Sequence, residues 1–269
     1  MRGIADYEFL RPIGGGGNGG VFLARRPPRL PGDDEFVAVK VFARNSTSDM
    51  FRRATARLRR SAAIHSPYLV TLVDAGQQDG IFYYAMEYLV GGSLAQPTQA
   101  VDAALQVRAV GDAARALAAL HLSGFTHGAV KPGNILLDQY GAKLSDPSLI
   151  DILAPGMCYS GRGGTESLAY TDPGALLGEP AAPEHDVWSI GVLLHWVGTG
   201  GTGYEDLPGD GVGALRHLVA HRPQVSVILI EPLAGIVRDC FLPVQRRPPV
   251  ADVANRIAEA AAAMSALPR

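Results

Sequence analysis

The chain has 269 residues, 47% hydrophobic and 19% charged, with a formal net charge of −2. This composition suits a globular chain with a real core, as one large domain or two lobes, and excludes disorder. Near-neutral charge gives no reason to expect nucleic acid or an acidic membrane surface, and Cys158 and Cys240 alone cannot build a disulfide framework or a cysteine-based metal site.

The start, MRGIADYEFL, lacks the apolar core of a signal peptide, and no apolar run approaches the ~20 residues of a membrane helix. The expected setting is therefore cytoplasmic, alone or as the cytoplasmic domain of a longer membrane protein. Residues 7 to 42 alternate like strands: YEFLRPI, a glycine run, VFLARR, the polar loop PPRLPGDDE, then FVAVKVF. Residues 49 to 64 have helical spacing, with Met50, Ala54, Leu58 and Ala62 on one face and arginines at 52, 53, 57, 59 and 60 over the rest. Such a stripe reads first as a solvated face and second as a docking surface for an acidic or phosphorylated partner. YLVTLVDAG and IFYYAMEYL read as strands, and the Gly-Gly of GGSL marks a hinge. Residues 101 to 122 form an Ala-rich helix with Gly124 at its end, and ILLDQYGAKLSD reads as a hairpin turning at Tyr140-Gly141. DVWSIGVLLHWVG is apolar nearly all round, as a buried helix would be, and VADVANRIAEAAAAM closes the chain as another helix.

Two segments carry the first chemical signal. GGGGNGGV contains G-x-G-x-x-G-x-V through Gly14, Gly16, Gly19 and Val21, where glycines let backbone N–H groups approach phosphates. VAVK then places Lys40 on a strand, and only three of 24 basic residues are lysines: Lys40, Lys131 and Lys143. A lysine in such an arginine-rich chain points to a need for a compact ammonium, here one able to pair with phosphates.

From here the sequence resembles the eukaryotic-type protein kinases, including the bacterial Ser/Thr kinases, over nearly its whole length. MEYLVGGSL is similar to the segment joining the two lobes, THGAVKPGN to the catalytic loop, KLSDPSL to the D-F-G segment, DVWSIGV to the helix anchoring that loop through Asp186, and RRPPVADV to the late Arg-Pro motif through Arg247. The His-Gly at 127–128 is also similar to small-molecule kinases of the aminoglycoside type, but the last two motifs favour the protein-kinase branch. The resemblance implies a bilobal α+β fold, with a small β-rich lobe over 1–90 and a larger α-helical lobe over 91–269. It implies a nucleotide site at Gly14, Gly16, Gly19, Val21, Ala38, Lys40, Met86, Glu87, Leu89, Lys131 and Leu136, and a Mg²⁺ site at Asn134 and Asp146. In the structural alternative Asn134 and Lys131 brace their loop, Asp146 caps a turn, Lys40 reaches solvent, and His127 is a packed core residue.

The departures from the family pattern are specific. Ala129 stands where the catalytic Asp is due, Gly128 where its Arg neighbour is due, and Asp146-Pro147-Ser148 replaces D-F-G. Arg57 falls near the Glu that should pair with Lys40. Spacing puts the A-P-E glutamate at Gly174, so Arg247 is expected to lack its partner, and the literal APE at 182–184 is a decoy. The expectation is a pseudokinase: a nucleotide-binding signalling scaffold with little or no phosphotransfer. The alternatives are a weakly active Ser/Thr kinase using another acid and a nucleotide-free interaction domain. The expected partners are proteins. Ser160, Thr165, Ser167 and Thr171 are candidate phosphoacceptors, and one partner could be a phosphothreonine-reading domain.

Overall fold

The computed structural model describes residues 2–16, 19–139, 141–153 and 165–266. They divide into two compact units. The first contains β1 (Gly3–Ile4), β2 (Tyr7–Gly16), β3 (Gly19–Arg25), β4 (Phe36–Asn45), α1 (Ser48–Ala62), β5 (Leu72–Gln78) and β6 (Ile81–Glu87). The strands form one antiparallel sheet in the order β1-β2-β3-β4-β6-β5. The β-branched and aromatic residues of FVAVKVF and IFYYAME set its two faces by simple alternation. Val37, Val39, Val41, Tyr83 and Ala85 point one way and form a core with Ile4, Tyr7 and Ala24. Each fully buried side chain of this kind contributes roughly 1.5–3 kcal/mol, so the sheet has a preferred side. The polar loop before β4 is held by Arg29, whose guanidinium bonds Asp6 at 2.7 Å and Asp74 at 2.6 Å, while the Tyr7 hydroxyl donates to the same Asp74 carboxylate at 2.7 Å.

Helix α1 starts where the Thr47 hydroxyl accepts the Met50 N–H at 3.2 Å. Its buried stripe is Ala54, Leu58 and Ser61, at i, i+4 and i+7. The expected core residue Ala62 is exposed. It sits one position past the stripe, in the last turn, where the helix has rotated away from its support.

The second unit opens with β7 (Gly92–Ser93) and β8 (Gln96–Pro97), then α2 (Ala103–Leu122), β9 (Ile135–Asp138) and β10 (Gly141–Leu144). The Gly-Gly expected to be a hinge directly follows the boundary between the units at Leu89 and Val90, and it is packed as well: Gly91 donates its N–H to the Leu137 carbonyl, and a Cβ on Gly91 would fall 2.4 Å from that oxygen. Helix α2 is capped by the Asp102 carboxylate at its start and ends before Gly124, whose φ of +64° suits glycine. The β9–β10 hairpin pairs Asp138 with Gly141, and Tyr140, expected in its turn, lies outside the described residues.

The chain passes through the short α3 (Ile150–Leu153), which belongs to the first unit and packs on α1. The second unit resumes with α4 (Thr165–Leu168), α5 (Pro173–Leu176), α6 (Pro183–Thr199), α7 (Gly211–Ala220), α8 (Leu233–Cys240) and α9 (Val250–Ser265). Every residue of α6 from His185 to His195 is buried, as its uniform apolarity implies. Around it pack α2, α8 and α9, with Trp188 and Phe241 rings 4.9 Å apart. The result is the α+β arrangement of a strand-rich unit and a larger helical one. Among the described residues, no helix is long and apolar enough to cross a membrane.

Candidate functional site

In the first unit, strand register gathers the expected nucleotide residues on one face of the sheet. Gly14 opposes Val21, Val21 opposes Lys40, and Lys40 opposes Tyr84; two residues along, Leu23, Ala38 and Met86 form the next row. Opposed residues of antiparallel strands share a face. That face is the one turned away from the Val37–Val41 core. Ala38 and Met86 are buried there, and Val21 and Lys40 are half-buried. The Lys40 ammonium lies 5.7 Å from the centroid of the Phe42 ring, which sits two residues further along the same face.

The motif glycines are not equivalent. Gly19 has φ +142°, and a Cβ on it would fall 2.0 Å from the Val41 carbonyl oxygen, so the strand beneath demands glycine. A Cβ on Gly14 would meet nothing nearer than Val21 at 3.7 Å, an ordinary contact. Gly16 ends β2 opposite Gly19, and residues 17 and 18 between them lie outside the described residues. At the far edge Glu87 donates its N–H to the Thr71 carbonyl at 2.9 Å, and its carboxylate accepts the Thr71 N–H at 2.6 Å. Leu89 is buried.

In the second unit, the Thr126–Asn134 loop is built around Asp186 of α6, which is 1% exposed. Its carboxylate accepts the N–H of His127 at 2.9 Å and of Gly128 at 2.8 Å, and His121 Nε2 lies 2.9 Å from it. His127 is the core histidine expected: Nε2 donates to the Ser145 carbonyl at 3.0 Å, and Nδ1 accepts the Ala129 N–H at 3.3 Å. Asn134 is buried and donates from Nδ2 to the Ala129 carbonyl at 2.7 Å. Its own carbonyl accepts the N–H and hydroxyl of Ser145. The bracing role of Asn134 is thus realised, and its side-chain oxygen remains as an acceptor for other chemistry. Ala129 takes part through its backbone alone in this frame. The Lys131 ammonium reaches the Ser167 hydroxyl at 3.4 Å, and Leu136 is half-buried on β9.

Asp146 has φ +61°, a left-handed backbone that a non-glycine residue adopts at a cost of roughly 1–3 kcal/mol. It is held there from both sides. Ser145 is tied to Asn134, and the Ser148 N–H donates to the His127 carbonyl at 2.9 Å. Pro147 between them is buried.

One expectation is overturned. Arg247 does not lack a partner: its guanidinium lies 2.5 Å from the carboxylate of Asp172, with both side chains about 5% exposed. It also donates to the carbonyls of Leu242 and Glu184, and stands over the Trp188 ring. The partner lies two residues before Gly174, the position reached by counting back from Asp186. Asp172 caps α5 through the Gly174 N–H, and a side chain on Gly174 would collide with Glu179. Thr165 and Thr171 are half-buried at either side of α4, and Ser160 lies outside the described residues.

Two further residues went unread in the sequence. His121 looks like the end of an apolar helix, and only the fold turns it toward Asp186. Asp112, in the Ala-rich α2, is buried and accepts the Ala142 N–H at 3.1 Å while pairing with Arg115 at 2.9 Å. Burial raises the pKa of its carboxyl above the usual range. A lone acid inside an apolar helical face was the available signal.

A family model described as "Protein kinase domain" matches residues 7–216. The chain is 28% identical over 236 residues to serine/threonine-protein kinase PrkC of Bacillus subtilis, covering 82% of this chain and 34% of that protein. It is 31% identical over 236 residues to serine/threonine-protein kinase PknJ of Mycobacterium tuberculosis, covering 83% of this chain and 39% of that protein. It is 29% identical over 237 residues to serine/threonine-protein kinase pkn3 of Myxococcus xanthus, covering 81% and 42%. The chain therefore spans well under half the length of these relatives. With the sheet face and the Asp186-centred loop in place and the family model matched over most of the sequence, the conclusion is direct: this chain belongs to the protein kinase domain family.

Proposed function

We propose that the chain is a pseudokinase, a protein kinase domain that binds nucleotide and serves signalling as a scaffold, with little or no phosphotransfer. The observation that carries this reading is Ala129. The loop around it is tied to Asp186, His127 and Asn134, yet a methyl group stands where a proton acceptor would be needed. A positioned base contributes roughly 10²–10⁴ in rate.

ATP with a divalent cation fits the residues that remain. The sheet face of Val21, Ala38 and Met86 is apolar, as a base-binding surface needs, and Lys40 adds a cation on the same face. The Glu87 N–H is committed to Thr71, so recognition of the base there falls to carbonyl oxygen and to the backbone of Leu89. Asn134 and Asp146 supply two hard oxygen donors, and a bound Mg²⁺ would take its remaining ligands from phosphate and water. Lys131 is suited to a terminal phosphate. When bound, the cation neutralises phosphate charge; the protein's own part is to hold Asn134 and Asp146 through Ser145 and His127.

The upkeep of a strained Asp146 beside a buried Asn134 favours a second reading, a weak Ser/Thr kinase. A thermal-shift titration tests nucleotide binding, which both readings require, and radiolabel transfer separates the two. At ~100 times its dissociation constant, ATP adds about 2.7 kcal/mol, a melting shift of roughly 5–10 °C for a chain of this size, reduced in Lys40→Met. No shift at millimolar ATP, with or without Mg²⁺ or Mn²⁺, leaves an empty interaction domain. Metal-dependent radiolabel transfer that is lost in Lys40→Met supports the weak enzyme instead. Thr165 and Thr171 are proposed acceptors for another kinase and docking marks for a phosphothreonine-reading partner; partner binding unaffected by Thr165→Ala and Thr171→Ala removes that role.

A further inference from the structure

Helix α1 carries five arginines against one aspartate, so it holds +4 while the rest of the chain holds −6. Their arrangement is more specific than their number. Ala56 is exposed, and its four surface neighbours at i−4, i−3, i+3 and i+4 are Arg52, Arg53, Arg59 and Arg60. Residues so spaced on a helix have Cβ atoms about 5–6 Å apart. Four arginines are therefore rooted around one small side chain, and all four are exposed.

Helix stability does not ask for this square. Arg59 and Arg60 lie in the last turn, where the helix dipole favours cations, but Arg52 and Arg53 lie toward the N-terminal half, where it does not. Asp49 contacts both Arg52 and Arg53, with side chains 55–75% exposed. Such solvated pairs are weak and readily exchanged for a stronger anion. The apolar stripe of Ala54 and Leu58 faces the opposite way, so the square plays no part in burying α1.

We propose that the arginine square over Ala56 is a docking site for a phosphorylated segment of a partner protein, with one phosphate seated above the Ala56 methyl group. A phosphate offers three strong acceptor oxygens, and guanidinium forks match them in paired hydrogen bonds. The small residue at the centre leaves room for the anion to reach all four. Arg52 and Arg59, like Arg53 and Arg60, are seven residues apart, about 10.5 Å along the axis. That span equals roughly three residues of an extended peptide, so acidic residues flanking the phosphorylated one at short range bind along the same rows. The site stands apart from the nucleotide reading.

Fluorescence anisotropy with a labelled Gly/Ala heptapeptide bearing one central phosphoserine tests it, against the same peptide with serine. The expected result is phosphopeptide binding at least about tenfold tighter, weakening as salt rises. Ala56→Glu places a carboxylate among all four arginines. It should abolish this preference while keeping or raising the melting temperature, because it adds favourable i,i±3 and i,i±4 pairs. Phosphopeptide affinity within twofold of wild type in Ala56→Glu overturns the proposal. Equal affinity for both peptides, or tighter binding to duplex RNA or to phosphatidylserine vesicles than to the phosphopeptide, overturns it as well.

Discussion

The Thr126–Asn134 loop and helix α1 differ in how their polar residues relate to the fold. In the loop, Ala129 makes two backbone bonds and has no side-chain acceptor, while Asp186, His127, Asn134 and Ser145 around it are bonded into one frame. Helix α1 has an ordinary buried stripe, whereas its outer face carries Arg52, Arg53, Arg59 and Arg60 around Ala56. The loop shows that a frame of backbone and buried polar bonds is complete without a side-chain acceptor at position 129, whereas the charge on the outer face of α1 lies opposite the stripe that buries the helix.

Mutations can break or sharpen that contrast. Asp186→Ala should cost the most, roughly 3–5 kcal/mol, because it strands the buried His127 N–H, the part-buried Gly128 N–H and His121; urea unfolding of the purified chain measures it. A loss below about 1 kcal/mol would mean the loop frame does not depend on α6. Asn134→Ala should cost about 1–3 kcal/mol, the penalty for a buried acceptor left unmade at Ala129. By contrast, Arg52→Ala or Arg59→Ala should change unfolding free energy by no more than about 0.5 kcal/mol. If either costs as much as Asn134→Ala, the square is structural and the contrast fails.

The smallest effect lies outside both regions. The Arg29 guanidinium, hydrogen-bonded to Asp6, holds that carboxyl below its ordinary pKa. A depressed folded pKa contributes stability above the unfolded value of about 3.9, and this is lost as pH falls through the folded value. Arg29→Ala should therefore be less stable than wild type at pH 6, with the two converging as the pH falls below the lowered pKa of Asp6. Acid titration followed by circular dichroism checks the convergence.

The sequence made the strands, the long helices and the loop frame legible because each follows a short-range rule. VAVK alternates, DVWSIGV is apolar all round, and THGAVKPGN keeps its polar residues at fixed offsets. What escaped depended on distance through space. Asp172 could not be matched to Arg247 by counting, since the ion pair joins residues 75 apart in sequence and its carboxylate stands two residues from the counted position. His121 and Asp112 lie on a helix whose composition advertises only packing. Gly91 and Gly92 read as a hinge, but the missing side chain of Gly91 also serves a close approach to Leu137 of β9, and that of Gly92 an approach to Gln96 of β8.

The parity of β4 has a further consequence. Val37, Val39 and Val41 face the core, while Ala38 and Lys40 face the other way, within one uninterrupted pairing with β3 and β6. Inserting or deleting one residue there would exchange the two sets, turning an ammonium into the apolar interior and valines outward. Length is thus a stricter inheritance than identity in this strand: many residues can be exchanged at position 40, but none can be added before it.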